Sequence, residues 1–198
     1  DALAAAEALL ADHTRILGPD HPGTLSTRNN IASWQAESGT IKDALTTFET
    51  LLTDQTRILG PDHPDTLTTR NNIAVRQAQS GAIKDALAAL EALLADYSRI
   101  LGPDHPHTLR TRNNIAYFQA ESGAIKDALA AFEALLADHT RILRPDHPHT
   151  LRTRNNIASL QAKSGAIADA LAAFEALLAD QTRILGPDHP DTLTTRNN

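Results

Sequence analysis

The apolar residues of this chain follow a helical pattern that returns every 42 residues. Between Ile41 and Leu59 they fall at steps of three and four, which predicts an amphipathic helix of about 18 residues. Gly60 then provides a residue that commonly ends a helix. The GPDHP sequence that follows predicts a turn, because each proline disfavours helix in the residue before it. We call this predicted element, with its equivalents in the other copies, the apolar helix.

A second helix is predicted from Pro64 to Ser80, ending at Gly81, and we call it the polar helix. Proline suits the first helical position, where its missing N–H leaves no hydrogen bond unmade. The apolar stripe of this helix is thin. An unpaired buried polar group costs about 1–3 kcal/mol. We therefore expect hydrogen bonds between helices from Thr66, Asn72 or Gln77.

The two helices form one hairpin, and the chain contains almost five copies of it. The copies span residues 1–42, 43–84, 85–126 and 127–168, with a partial copy at 169–198, and the third and fourth differ at only 8 of 42 positions. Units of this kind bury their apolar faces only against neighbouring units. The sequence therefore predicts an all-α solenoid, organised as a single repeat array over residues 1–198. We interpret it as a fragment, truncated at both ends, of a longer array.

Composition narrows the possible functions. The chain is 41% hydrophobic but only 4% aromatic, a mixture that favours helix, and its net charge of −6 argues against a nucleic-acid partner. It has no cysteine, and no apolar run approaches the roughly 20 residues that span a bilayer, so we expect no membrane partner and a cytoplasmic location. No catalytic triad, phosphate loop or HExxH motif is present. We therefore predict no enzymatic activity and no cofactor.

The repeat resembles the tetratricopeptide repeat. The resemblance rests on Gly39, Ile41, Ala44 and Phe48, preceded by Ile31 and Ala32. The usual repeat of that family has 34 residues, and the longer copy with LGPDHPxT, NNIA and SG is similar to the kinesin-light-chain type. The resemblance covers the whole chain.

This resemblance implies a right-handed superhelix whose concave groove, lined by the polar helices, holds an extended peptide. The matching groove positions are Ser26, Asn29, Ser33, Ala36 and Glu37, with equivalents every 42 residues. The chain departs from the family where Arg28 and Gln35 replace large aromatic residues. We expect a more polar interior as a result.

Differences between near-identical copies mark four variable positions on the polar helix, which we expect to face solvent. They are the series Ser26, Thr68, Arg110, Arg152, Thr194; Ser33, Val75, Tyr117, Ser159; Trp34, Arg76, Phe118, Leu160; and Glu37, Gln79, Glu121, Lys163. One interpretation is a groove adapted copy by copy to a ligand. The other is neutral drift on an exposed surface. Tyr117, flanked by Arg110 and Arg152, is the best candidate anchor, since Tyr and Arg are frequent at binding hot spots.

An unvarying asparagine forms a second set of candidate binding residues: Asn29, Asn71, Asn113 and Asn155. An amide both donates and accepts hydrogen bonds, so a row of amides suits an extended peptide backbone. The alternative is pairing within the hairpin, which we favour for the second asparagine of each pair, Asn30 or Asn72.

Histidine recurs in the turn as His21, His63, His105, His147 and His189, with His107 and His149 added in two copies. Stacked copies separate equivalent residues, whereas a metal site needs converging ligands. We predict no metal site, and expect each turn histidine to satisfy the start of its helix. In the same turn Arg144 replaces a glycine, and it is strained by about 1–2 kcal/mol if that position needs a left-handed backbone.

The two ends of the array predict a further property. Each exposes a face that a neighbouring copy would cover, and uncapped repeats associate head to tail. We thus expect an interaction scaffold for an unidentified peptide or protein. The alternative is a structural array that assembles through its ends and has no defined ligand.

Overall fold

The computed structural model describes residues 2–198. Asp1, at which the first predicted copy begins, lies outside them. The described residues form ten α-helices and no strands, which confirms the all-α solenoid of helical hairpins. The apolar helices are α1 (Ala2–Leu17), α3 (Ile41–Ile58), α5 (Ile83–Leu101), α7 (Ile125–Leu143) and α9 (Ile167–Ile184). The polar helices are α2 (Pro22–Glu37), α4 (Pro64–Gln79), α6 (Pro106–Glu121), α8 (Pro148–Lys163) and α10 (Pro190–Asn197).

The helices group into two compact units, the first ending at Gly102 and the second beginning at Pro103. The first unit contains α1 to α5 and the second contains α6 to α10. Within each unit every helix packs on the next one along the chain. The repeat boundaries inferred from the sequence stay a prediction.

The core of each unit lies between an apolar helix and the polar helices on either side of it. In the second unit Phe132 and Leu135 of α7 are fully buried, and they cluster with Leu109 of α6 and Ile157 of α8. Fully burying one such side chain stabilises a fold by about 1.5–3 kcal/mol. Helix α7 is therefore buried both by α8 of its own hairpin and by α6 of the neighbouring one.

The serine–glycine pair that follows α2, α4, α6 and α8 forms a tight cap. Gly81 has φ +97°, its N–H donates to the Ala78 carbonyl, and the Ala82 N–H donates to the Gln77 carbonyl, both at 3.0 Å. This is the Schellman arrangement, in which a glycine with positive φ ends the helix. It leaves only Ser80, Gly81 and Ala82 between α4 and α5, so the two helices fold back on each other.

The other turn depends on invariant polar residues. The Thr66 hydroxyl donates to the Gly60 carbonyl at 2.9 Å, so this threonine bonds the turn before its helix. The Nδ1 atom of His63 accepts from the Asp65 N–H at 3.2 Å, and the equivalent bond forms at all five turn histidines. The prediction that these histidines satisfy the start of each polar helix is confirmed.

Arg144 occupies a position that does need an unusual backbone. It has φ 78° and ψ 160°, and the equivalent Gly102 has φ 89° and ψ 163°. This region is populated almost only by glycine, and a residue with a Cβ atom is strained there by about 1–3 kcal/mol. The strain expected from the sequence is therefore present at Arg144.

The polar interior predicted from Arg28 and Gln35 is also present. The Arg28 Nη1 atom donates to Asp54 Oδ2 at 2.6 Å, and Thr47 donates to Gln35 Oε1 at 2.9 Å, so both residues join the polar helix α2 to the apolar helix α3 of the next copy. Arg57 continues the network by donating to Asp20 in the preceding turn at 2.8 and 3.1 Å. Equivalent pairs recur in the second unit between Arg112 and Asp138, Arg141 and Asp104, Arg154 and Asp180, and Arg183 and Asp146.

Candidate functional site

Cavities lie where two successive polar helices begin, beside the end of the apolar helix between them. One of about 290 Å³ lies in the first unit, and two, of about 460 and 220 Å³, lie in the second unit. The smaller cavity of the second unit is lined by Arg152, Asn155 and Asp191. The cavity of about 460 Å³ lies between α6, α7 and α8. We call it the second-unit cavity. Arg110 and Asn113 of α6, His139 of α7 and Arg152 of α8 line it together with the apolar side chains of Leu109, Ile142 and Leu143. The structure thus brings the predicted arginines and one predicted asparagine to a single site.

Two histidines accompany the arginines, and each lies one helical turn before its arginine. His107 and Arg110, like His149 and Arg152, are spaced i, i+3 and line the same cavity. The copies without the arginine lack the histidine as well: they have Gly23 with Ser26, Asp65 with Thr68, and Asp191 with Thr194. The histidine and arginine therefore change together from copy to copy.

The basic side chains of α8 contact one another. Arg152 Nη2 donates to His149 Nδ1 at 3.0 Å, which leaves the proton of the neutral His149 ring on Nε2. The ring centroids of His139 and His149 are 6.0 Å apart, and those of His147 and His149 are 5.1 Å apart. Imidazoles and a guanidinium thus form one side of the cavity.

His139 is the deepest titratable group of this site, with only 5% of its surface exposed. Its Nδ1 atom lies 3.0 Å from the Thr153 hydroxyl, and that hydroxyl donates its single proton to the His149 carbonyl at 2.9 Å. Thr153 must therefore accept from His139 Nδ1–H. In the neutral ring, Nε2 then carries the lone pair.

The environment of these imidazoles disfavours protonation. Burial, with a further contribution from His149 and Arg152, lowers the pKa of His139 to about 4. Burial and Arg110 lower the pKa of His107 below its usual range, and burial and Arg152 do the same for the pKa of His149. Burial is the largest cause in each case, and the neighbouring cations act in the same direction.

Asp104 is a carboxylate in the lining of this cavity, and its charge is compensated. Arg141 donates to its two oxygens at 2.6 and 2.9 Å, and this contact lowers the pKa of Asp104. Arg141 also donates to Asp138 at 2.9 Å, and Asp138 accepts from Arg112 at 2.6 Å. Two carboxylates and two guanidiniums thus form a network that holds the turn before α6 against α7.

The first-unit cavity occupies the equivalent place between α2, α3 and α4. It has a volume of about 290 Å³ and is lined by Ser26, Gln55, Asp65 and Thr68 where the second-unit cavity has an arginine or a histidine. Gln55 Oε1 and the hydroxyl of Thr69 are buried without a hydrogen-bond partner among the described residues. In the second unit the equivalent atoms belong to the bonded pair of His139 and Thr153.

The asparagines that recur in every copy serve partly to join helices. Asn72 Nδ2 donates to Asn29 Oδ1 at 3.4 Å, and Asn198 donates to Asn155 at 3.3 Å. The prediction of a bond between helices is confirmed at Asn72, but the prediction that the second asparagine pairs within its own hairpin is wrong there. The bond instead links α2 and α4, the polar helices of successive copies. Asn71 is buried, whereas Asn113 is half-buried beside the second-unit cavity.

Tyr117 does not line the second-unit cavity, although the sequence grouped it with Arg110 and Arg152. It lies seven residues after Arg110, about 10 Å along the helix axis, is 49% exposed and packs edge-on against Phe118. The other members of its series are half-buried: Ser33, Val75 and Ser159. Two of these hydroxyls donate to the carbonyl four residues earlier, Ser33 to Asn29 and Ser159 to Asn155.

One variable position does not face solvent as expected. Phe118 and Leu160 are buried, and Leu160 belongs to the core cluster around Phe132, whereas the equivalent Trp34 is exposed. The expectation was wrong at these two residues because large apolar side chains of different shape fill the same packing position. The series of Glu37, Gln79, Glu121 and Lys163 is exposed throughout.

His139 was missed as a site residue by sequence reasoning. Its position carries His13, Gln55, Tyr97, His139 and Gln181, always a polar group on an otherwise apolar face. That exception to the apolar pattern is the signal that could have identified it. The part of the chain that the structure describes contains no cluster of three side chains suited to holding a metal ion.

None of the helices within residues 2–198 combines the length and apolar character needed to cross a bilayer.

Stacked hairpins with a variable surface on one helix of each define a helical-repeat protein. The tetratricopeptide-repeat family model matches residues 36–98 and 113–181, more than half of the chain. The chain therefore belongs to the tetratricopeptide-repeat family. No curated protein matches the sequence.

Solved structures share this fold at low sequence identity. The nearly identical TPR-like repeats of Podosopora anserina, assigned to a kinesin light chain, superpose with a TM-score of 0.74 at 23% identity, covering 92% of this chain and 86% of theirs. BtubC (BKLC) from P. vanneervenii gives a TM-score of 0.80 at 17% identity. The match covers 98% of this chain and 78% of that one. A Rap protein in complex with competence and sporulation factor gives a TM-score of 0.67 at 12% identity. The match covers 87% of this chain and 51% of that protein.

Proposed function

We propose that the chain is a non-catalytic scaffold that binds a peptide or protein partner on the surface of its polar helices. The observation that supports this proposal is the contrast between a repeated core and an unrepeated surface. Leu51, Leu93, Leu135 and Leu177 are equivalent and all fully buried. The residues at the cavities, by contrast, change in charge from copy to copy. Copies that pack identically yet differ at one surface are suited to recognising a ligand.

The family and fold support the same class of function. Tetratricopeptide repeats are arrays whose extended surface serves for binding, and the Rap protein of similar fold was solved together with competence and sporulation factor. Tyr117 supplies an exposed aromatic ring, and Arg110 and Arg152 supply guanidiniums, the groups that are most frequent at binding hot spots. The cytoplasmic location and the lack of catalysis stay predictions.

A test would select peptides from a random display library with the wild-type chain and measure their binding to two variants. The first, Arg110→Thr/Tyr117→Ser/Arg152→Thr, introduces residues that other copies carry at the same positions. The second, Lys84→Ala/Glu91→Ala/Lys126→Ala, changes exposed residues of the apolar helices. We expect the first variant to lose binding and the second to keep it. Peptides that bind both variants as tightly as the wild type would reject the polar-helix surface.

A second candidate function, head-to-tail self-association, is supported by exposed leucines in α1 and α10. Leu9 is 48% exposed although its equivalents are fully buried, and Leu193 is 40% exposed although its equivalents are buried. In both units a leucine of the Leu193 series packs on one of the Leu9 series 26 residues later, as Leu67 does on Leu93. We propose that Leu193 of one molecule packs on Leu9 of another.

The charges at the two ends match in the same register. Arg196 is equivalent to Arg154, which pairs with Asp180, and Asp12 is equivalent to Asp180. A Leu193–Leu9 contact would therefore place Arg196 against Asp12 and repeat the ion pair of the inner hairpins.

Sedimentation velocity over a range of concentrations tests this association. We expect concentration-dependent growth of the sedimentation coefficient, abolished by Leu9→Glu and retained in Leu171→Glu, which changes an exposed leucine outside the matched pair. A wild-type chain that stays monomeric at the highest concentration would contradict the self-association.

A further inference from the structure

The position of His13 on α1 is covered in every other copy and open here. Its equivalents Gln55, Tyr97, His139 and Gln181 are no more than 5% exposed, whereas His13 is half-buried. In the second unit the preceding polar helix, α6, supplies part of that cover, since its side chains line one cavity with His139. Among the described residues no polar helix precedes α1. The face of α1 that carries His13 therefore lacks this cover within one molecule.

Helix α10 of a second molecule has the surface that this place requires. Its Leu193 and Asn197 are equivalent to two residues of α6, Leu109 and Asn113, that line the cavity of His139. The head-to-tail contact proposed above would therefore lay α10 over α1 at the open position.

The charges of the two helices match at a second pair of residues in the same register. Arg141 donates to both oxygens of Asp104 at 2.6 and 2.9 Å, and Arg15 and Asp188 are the equivalents of these two residues. The same pair recurs as Arg57 with Asp20, Arg99 with Asp62, and Arg183 with Asp146. Arg15 of one molecule would thus pair with Asp188 of the next. Exposed ion pairs contribute little affinity, so these pairs would mainly fix the register of the contact.

The hydrogen bonds of His13 select one tautomer. Its Nδ1 atom lies 3.0 Å from the Thr27 hydroxyl, and that hydroxyl donates its single proton to the Gly23 carbonyl at 2.9 Å. Thr27 must therefore accept from His13 Nδ1–H. The neutral ring keeps its lone pair on Nε2, so a proton gained there adds a charge without breaking a hydrogen bond of the separate molecule.

The cover of α10 would remove a protonated His13 from water. The equivalent His139 shows the effect, because burial is the largest cause that lowers its pKa to about 4. The charged and titratable groups on the elements around His13 are Asp12, Arg15, Asp20, His21 and Arg28 of its own molecule, and Asp188, His189, Asp191 and Arg196 of the second.

Asp191 is the carboxylate of α10 that has no arginine partner in this register. It occupies the place of His107, and the four charges with the largest effect on the pKa of His139 do not include His107. They do include Arg112, the equivalent of Arg196, and that charge acts in the same direction as burial. Burial therefore decides the sign, and the assembled state disfavours the imidazolium form of His13.

We propose that pH controls the head-to-tail association of this chain through His13, which has to be neutral where α10 of a second molecule covers α1. This inference rests on the self-association proposed above and adds its regulation. Acid favours separate molecules, because the assembled state binds fewer protons. The net charge of −6 acts in the opposite direction, since protonated histidines reduce the repulsion between copies. Weaker association in acid would therefore report a specific buried group.

The first experiment measures the dissociation constant of the full chain by sedimentation velocity as a function of pH, with helical circular dichroism at each pH to show that the chain stays folded. An ordinary histidine titrates near pH 6.5, and one buried as His139 is titrates at about 4, so the dissociation constant should rise by up to about 30-fold between about pH 7.5 and 5. A constant that is unchanged or falls in acid would overturn the pH control and leave self-association intact. A chain that is monomeric at every pH would reject both.

His13→Gln identifies the titrating group. Glutamine occupies this position in two other copies, as Gln55 and Gln181, and is buried in both, so the variant should fold and associate. We expect its dissociation constant to change by less than about threefold over the same pH range, since glutamine does not titrate. The matched control is His139→Gln in α7, outside the contact, which should keep the full pH dependence. A His13→Gln chain that retains the pH dependence of the wild type, or a His139→Gln chain that loses it, would overturn the role of His13.

Exchange of one charge pair tests the register that places α10 over His13. Arg15→Asp and Asp188→Arg should each weaken association several-fold, because each places like charges together. In an equimolar mixture, Asp at position 15 of one variant meets Arg at position 188 of the other, and we expect association to be restored. A mixture that associates as weakly as each variant alone would contradict this register and the cover of His13 that depends on it.

Discussion

The two cavities occupy the same place in the fold and differ in almost every polar group. Ser26, Gln55 and Thr68 in the first unit stand where Arg110, His139 and Arg152 stand in the second. The helices, caps and inter-helix ion pairs around them are equivalent. The charge of a cavity thus varies independently of the hairpins that form it, because Arg110 and Arg152, which carry that charge, are exposed.

The two cavities differ most at the buried polar position of the apolar helix, which is Gln55 in the first unit and His139 in the second. His139 has its hydrogen bond with Thr153, whereas Gln55 Oε1 and the Thr69 hydroxyl have no partner among the described residues. The buried pair of the second-unit cavity, His139 and Thr153, therefore has its hydrogen bond at neutral pH. Acid should affect this cavity more than the first-unit cavity. The following substitutions test that difference, beginning with the largest expected effect.

His139→Gln should reduce the loss of stability in acid. The pKa of His139 is about 4 in the folded chain and near the usual 6.5 in the unfolded chain. Since the unfolded state binds more protons between these values, stability rises with pH from about 4 to 6.5. Stability is complete above 6.5 and decreases as the pH falls below it. The difference corresponds to about 3 kcal/mol. Urea unfolding followed by circular dichroism at pH 4 to 8 measures it, and parallel curves for the wild type and the variant would contradict the prediction.

Arg144→Gly should stabilise the second unit by about 1 kcal/mol. It removes backbone strain of about 1–3 kcal/mol at φ 78°, and part of that gain is offset because glycine adds about 0.4–1 kcal/mol of unfolded-chain entropy. Gly60→Arg, at the equivalent turn of the first unit, is the matched control and should destabilise. Urea midpoints that move in the same direction for both variants would show that the turn does not require this backbone.

Gln55→His should stabilise the first unit by roughly 0.5 kcal/mol, the lower end for one new hydrogen bond. It gives the Thr69 hydroxyl the donor that Thr153 has in the second unit. A double-mutant cycle with Thr69→Val measures the coupling between the two side chains. A gain that persists with Thr69→Val would come from packing instead of the new bond.

The helices could be predicted from the sequence to within a residue or two. The apolar helix from Ile41 ends at Ile58, and the polar helix begins at Pro64 and ends at Gln79 beside the predicted Gly81. These boundaries depend on local chemistry: an apolar stripe, a proline at the first helical position and a glycine with positive φ. The site could be predicted only in part. Arg110, Arg152 and Asn113 meet in one cavity, while Tyr117 lies two turns away and His139 was overlooked.

By itself the sequence determined the repeat, its hairpin, the caps and the need of each hairpin for neighbours, because these follow from interactions within a few residues and from the period of the apolar pattern. The tertiary structure decided which polar side chains meet. His139 and Arg110 lie on different helices, and they line one cavity only because α6, α7 and α8 pack together. It also decided the tautomer of His139. The Thr153 hydroxyl donates its single proton to the His149 carbonyl, so it accepts from His139 Nδ1–H. Residues that are far apart in the sequence come together only through packing. The spacing of residues within one copy therefore does not predict which of them meet.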